Sequence, residues 1–157
     1  MAAGEFVSEW DFNVNPVPSN SITIGTPTIT GNIVVNSATF SANSLRADGD
    51  GYFDLGFTFS TSGQNSGTER FTVGESITFL LTGNGLDAMD FLSMSSADSG
   101  VQNENGLLYT GAHVQGITVP GVSGTQSAWI TTPVPAAAWL LGSGLLGLIA
   151  IRRRVKK

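Results

Sequence analysis

Residues 53–60 read Phe-Asp-Leu-Gly-Phe-Thr-Phe-Ser, with a large apolar side chain at every second position. A period of two puts Phe53, Leu55, Phe57 and Phe59 on one face of a strand, and Asp54, Gly56, Thr58 and Ser60 on the other. A helix would scatter these four around its axis. The same alternation begins the chain, where Phe6, Trp10, Phe12 and Val14 face away from Val7, Glu9, Asp11 and Asn13. Weaker strand signals follow at Ile22 and Ile24, Ile29–Val35, Phe71–Val73, Ile77–Leu81 and Ala128–Thr131, with Gly74-Glu75 as a turn. Leu107–Val119 reads as a further strand bent at a glycine. Clusters of Gly, Asn, Ser and Asp separate these runs at hairpin intervals.

About eight short strands of this kind predict an all-β fold, an antiparallel β-sandwich or jelly roll. The helical exception in the body is one short turn at Leu86–Phe91. Ser60–Thr68 reads as an exposed loop, and a linker is expected at Pro120–Ser127 or just ahead of Pro133. The 157 residues suit one such domain. With 41% apolar and only 12% charged residues, the chain carries enough apolar surface to offset ordering entropy. It has no Cys and a single His, which excludes disulfides, thiol nucleophiles, cysteine-based metal sites and a multi-histidine centre within one chain.

The net charge of −5 hides an asymmetry. Arg152, Arg153, Arg154, Lys156 and Lys157 close the chain, leaving Arg46 and Arg70 against all 12 carboxylates, a net −10. A body so acidic gives no electrostatic reason to bind nucleic acid. Ahead of the basic cluster, Ala136–Ile151 runs 16 residues without a charge, preceded by Pro133-Val134-Pro135. As a helix it would span roughly 24 Å against a hydrocarbon core of ~30 Å, a mismatch that snorkelling arginines and local thinning can cover. Being apolar all round, it is expected to cross the membrane, with its basic end in the cytoplasm and the body outside. Residues 1–15 contain neither a basic n-region nor an apolar h-region. The expectation is therefore that residue 1 is a mature, truncated or misassigned start.

The order Pro133, Val134, Pro135, Ala136, Ala137, Trp139, Gly142, Gly144 and Gly147, then Arg152, Arg153 and Arg154, resembles the sorting signal of PEP-CTERM proteins. It is most similar to the VPxPAAxWLxGSGLLGL variety, with Val134 where the namesake motif has Glu. The resemblance implies export, arrest in the inner membrane, and recognition by an exosortase, a membrane transpeptidase-like protease that cleaves near the prolines. It further implies a host that makes exopolysaccharide and biofilm matrix. The phrases at 51–54 (GYFD), 112–115 (AHVQ) and 127–130 (SAWI) resemble a recurring small ectodomain of the same family, which implies no known enzymatic activity.

Within this segment, residues 142–147 also fit G-x-G-x-x-G. A dinucleotide fingerprint needs a strand before it and an acidic residue about 20 positions after it, and the next ten residues are the last. A small-residue packing face in lipid suits Ser143 and Gly147 better.

Four further sets of residues invite chemistry. Asp48, Asp50 and Asp54 offer oxygen ligands for Ca²⁺, although the frame fails the EF-hand pattern, and Asp-Gly here equally signals a hairpin turn. His113 lies in a strand-like segment with no nucleophile elbow near it, so a hydrogen-bonded structural histidine is expected and no triad. Asp87 with Asp90, or Glu69 with Glu75, are nominal carboxylate pairs for glycoside chemistry, and spacing singles out neither. Trp10, Tyr52, Tyr109 and Trp129 are candidates for stacking on sugar rings.

The sequence thus predicts residues 1–130 as an exported β domain. Residues 131–157 form the sorting signal, with a transmembrane helix at 136–151 and a basic tail at 152–157. The expected role is non-enzymatic, at the cell surface or in the extracellular matrix. A carbohydrate-binding module for exopolysaccharide is the alternative, and a polysaccharide-modifying enzyme stands behind it.

Overall fold

The computed structural model describes residues 4–15, 22–47, 51–62, 69–97 and 107–131. Among them every strand pairing is antiparallel and there is no α-helix. The strands are β1 (Phe6–Phe12), β2 (Thr23–Ile24), β3 (Thr28–Thr30), β4 (Val35–Ala47), β5 (Gly51–Phe59), β6 (Ser76–Thr78), β7 (Leu81–Thr82), β8 (Thr110–Ile117) and β9 (Gln126–Thr131). Five make one sheet in the order β4-β5-β1-β8-β9, while β2-β7 and β3-β6 form two-stranded ribbons. The fold is all-β, as the alternation predicts.

The apolar centre lies on one face of the main sheet. Ile33, Leu55, Phe57 and Phe59 are its buried members, and Ile24, Ile77, Phe79 and Leu81 pack onto it from the ribbon segments. Full burial of a side chain of this size contributes about 1.5–3 kcal/mol. Phe57 stacks on Phe79 with centroids 4.1 Å apart, and Phe12 meets Phe57 edge-on at 6.1 Å.

Three local findings differ from the sequence expectation. β4 extends 13 residues along an edge of the sheet, where the sequence shows no strand beyond Val35. Most of its residues are exposed, so no apolar alternation marks them. Pro120–Thr125 is the connection of the β8-β9 hairpin, since Ile117 pairs with Gln126 and the strands run on together. Finally, Phe53 does not share a face with Leu55, Phe57 and Phe59. The β4-β5 register shifts between Phe40 and Leu45, so that Leu45 lies opposite Phe53. Phe53 then packs beside Gly111 on the other side of the sheet.

The Leu86–Phe91 turn is a 3₁₀ helix, Ala88–Phe91, capped by Asp87. The predicted bend in β8 falls at Gly116, where the register with β9 slips and the backbone turns to φ +79°. A side chain there would collide with the Gly4 carbonyl, so this position requires glycine.

Candidate functional site

β1 lies between β5 and β8, and a row of three residues crosses the sheet there: Gly56, Asp11 and Gly111. Alternation predicts Asp11 on a solvated face, yet it is 0% exposed. Glycines on both neighbouring strands leave space for its carboxyl group, Leu45 lies over Gly56, and Phe53 and Trp129 lie over Gly111. Neither carboxyl oxygen has a hydrogen-bond partner. Burial, followed by the charge of Glu9, pushes the Asp11 pKa up to about 8, and burial also raises that of Glu9. Asp11 is therefore a neutral acid at pH 7.

Next along the same face, the β1-β8 register shifts between Val7 and Glu9. This bulge brings Ser8, three residues before Asp11, against His113 of β8. The Ser8 hydroxyl lies 3.2 Å from both His113 Nδ1 and the His113 carbonyl oxygen, and it can donate to either. Gln115 Nε2 donates to Ser8 Oγ at 3.0 Å. Trp129, opposite His113 on β9, stacks on the imidazole with centroids 5.0 Å apart and planes 12° from parallel. His113 is a hydrogen-bonded strand residue, as the sequence predicts. Its partner is a hydroxyl 105 positions away, which no local pattern reveals.

The other nominated residues fall elsewhere. Asp54 is buried at the β4-β5 register shift, where Oδ2 accepts from Val14 N at 3.0 Å and Oδ1 from Asn43 N at 2.7 Å. Asn43 adopts φ +47°, and its side-chain oxygen accepts from Ser96 Oγ. Asp54 thus holds the bulge that reverses the facing of Phe53. Asp48 and Asp50 lie outside the described residues; among those described, no three acidic or histidine side chains group as metal ligands.

Asp87 and Asp90 come together, as a capping box. Asp87 Oδ1 accepts from Met89 N and Asp90 Oδ2 from Asp87 N, each at 2.8 Å. Glu75 accepts from Asn32 N at 2.9 Å and from Thr72 N at 2.8 Å. Slight burial works to raise its pKa, but these hydrogen bonds and one from Thr72 Oγ1 outweigh it and hold the carboxyl below its usual value. Glu69 offers its backbone carbonyl to Val34 N at 3.0 Å.

Of the four aromatic candidates, Trp10 lines an open apolar cleft of about 400 Å³ together with Phe12, Phe57, Phe79 and Phe91. Its indole N–H donates to Thr110 Oγ1 at 3.0 Å, fixing the ring plane. Trp129 covers His113 instead, Tyr52 pairs through its backbone with Ser96, and Tyr109 is half-buried just before β8.

The sorting residues from Pro133 to Arg154 lie outside the described residues. No described helix is long and apolar enough to cross a membrane. No protein-family model matches the chain, and neither does any curated protein or solved structure.

Proposed function

We propose that this chain is a non-enzymatic exported protein of the cell surface or extracellular matrix, delivered by its C-terminal segment. The observation that carries the proposal is the order of residues 133–157: proline motif, 16 uncharged residues, three arginines. In this scheme the helix at 136–151 arrests in the inner membrane with Arg152–Arg154 held in the cytoplasm. A membrane transpeptidase of the exosortase type then reads Pro133-Val134-Pro135, and the body passes to the surface. An acidic, cysteine-free, antiparallel β body supports this role, since it needs no disulfide chemistry after export. The last of the described strands, β9, ends at Thr131, just ahead of the proline motif. The two-layered packing of ribbons on the main sheet fits a sandwich or jelly-roll-like ectodomain.

Fractionation of the native host tests the proposal. Wild-type protein is expected at the surface, whereas a Pro133→Ala, Pro135→Ala double variant should accumulate in the inner membrane. Equal surface delivery of both would overturn it.

A second reading, carbohydrate binding, draws on the aromatic cleft around Trp10. A planar indole held by Thr110 beside Phe12 and Phe79 presents apolar faces of the kind on which sugar rings stack. Binding of the host exopolysaccharide that is lost in Trp10→Ala would favour it, and no binding by the wild type would remove it.

A further inference from the structure

The Ser8 site brings together three groups of complementary chemistry. Ser8 Oγ is a nucleophile, His113 Nδ1 is a base 3.2 Å from it, and the Gln115 carboxamide is an electrophile whose nitrogen lies 3.0 Å from the same oxygen. The amide carbon is one bond beyond that nitrogen, so a turn of the carboxamide that gives up this hydrogen bond would bring its face toward the hydroxyl, as attack requires. Ser8 is only 6% exposed, which bars an external substrate from its hydroxyl. The electrophile within its reach is an internal one.

We propose that the chain cross-links itself here, with Ser8 Oγ displacing ammonia from Gln115 to leave an ester between β1 and β8. The steps balance without any co-reactant. With its proton on Nε2, His113 accepts the Ser8 proton at Nδ1 as Oγ bonds to the amide carbon. The tetrahedral centre then collapses, the C–N bond breaks, and the same proton passes to the departing nitrogen. The products are one ester and one ammonia. Exchange of an amide for an ester is uphill, and dilution of ammonia into the surroundings draws it forward.

The surroundings suit this step. Trp129, stacked on the imidazole, fixes the ring and covers one of its faces. Glu9 stands opposite His113 in the register, and Asp11 follows on the same strand, so two carboxyl groups whose pKa burial raises lie near a reaction that moves protons. Composition narrows the choice of cross-link as well. With no cysteine, and with lysine only at positions 156 and 157, neither a disulfide nor a lysine amide can staple the body. A hydroxyl and a carboxamide remain. Ser8 and Gln115 are 107 positions apart, so their bond would close most of the domain into a loop. A second hydroxyl–carboxamide contact, Ser96 with Asn43, is exposed and has no imidazole, because the chain's single His is at 113. It serves as an internal control.

Peptide mapping and intact mass of the folded full-length chain test the proposal. Wild type is expected to weigh one ammonia less than its composition. Digestion should yield one branched peptide containing both Ser8 and Gln115, which hydroxylamine splits. Ser8→Ala should restore the full mass, His113→Ala should abolish or greatly slow the branch, and no branch should join Ser96 to Asn43. Separate, unmodified Ser8 and Gln115 peptides from folded wild type would overturn the proposal. So would an ammonia deficit that persists in Ser8→Ala, which would assign the loss to an asparagine elsewhere.

Discussion

Asp11 occupies the place of the side chain that Gly56 lacks. The two are partners across β1 and β5, and a Cβ on Gly56 would stand 2.7 Å from Asp11 Oδ1 and 2.8 Å from Leu45 Cδ1. The buried acid and the glycine are two halves of one packing solution.

Gly56→Ala should therefore destabilise the fold by about 1–3 kcal/mol, the usual cost of overpacking a tight site. Much of that loss should return in the Gly56→Ala, Asp11→Ala double variant, because the smaller residue vacates the contested space. Denaturant midpoints of the four proteins in the cycle measure the coupling directly.

Asp11 also sets an unusual pH dependence. Its pKa is about 8 in the folded chain against 3.8 for an ordinary aspartate, so between those values the folded state keeps a proton that the unfolded state releases. Stability should be greatest at the acidic end of this window and fall as pH rises, by at most about 1.4 kcal/mol per pH unit. Glu9, shifted in the same direction, adds to the slope. Asp11→Asn should flatten most of it. Equilibrium unfolding at a series of pH values checks the sign; a wild type that gains stability from pH 5 to 8 would contradict it.

Asp54 should matter for structure whatever else it does. Asp54→Ala leaves the Val14 and Asn43 backbone N–H groups without their acceptor. A loss of about 2–4 kcal/mol is expected. Phe53 should also lose its fixed packing beside Gly111, which aromatic NMR shifts would reveal. A calcium titration separates the two uses of this segment. A melting temperature that rises in millimolar Ca²⁺ and drops with chelator would place the ion at Asp48, Asp50 and Asp54; an unchanged one would leave the hairpin turn alone.

What could be read in advance was whatever depends on near neighbours. The strand at Phe53–Phe59, a glycine bend within Leu107–Val119 and the short turn at Leu86–Phe91 each follow from period or local backbone chemistry. The facing of Phe53 did not, because the bulge beside it is held by Val14 and Asn43, 40 and 11 residues from Asp54. β4 was invisible for another reason: most of this edge strand is exposed, and its inward residues Val35, Phe40 and Ala47 are too far apart, across two register shifts, to show an alternation. Ser8, His113 and Gln115 were unreadable as a group. Their meeting depends on the β1-β8 register, with its one-residue bulge, between segments about a hundred positions apart. Asp11 carried a faint signal, as an acid in an alternating strand, but its burial depends on glycines contributed by two other strands.

The central claim, delivery by a C-terminal signal, is tested most directly by the mass of the mature protein isolated from its native host. The expected surface species lacks the residues beyond the Pro133-Val134-Pro135 motif. A surface species that still carries Arg152–Lys157 would contradict it.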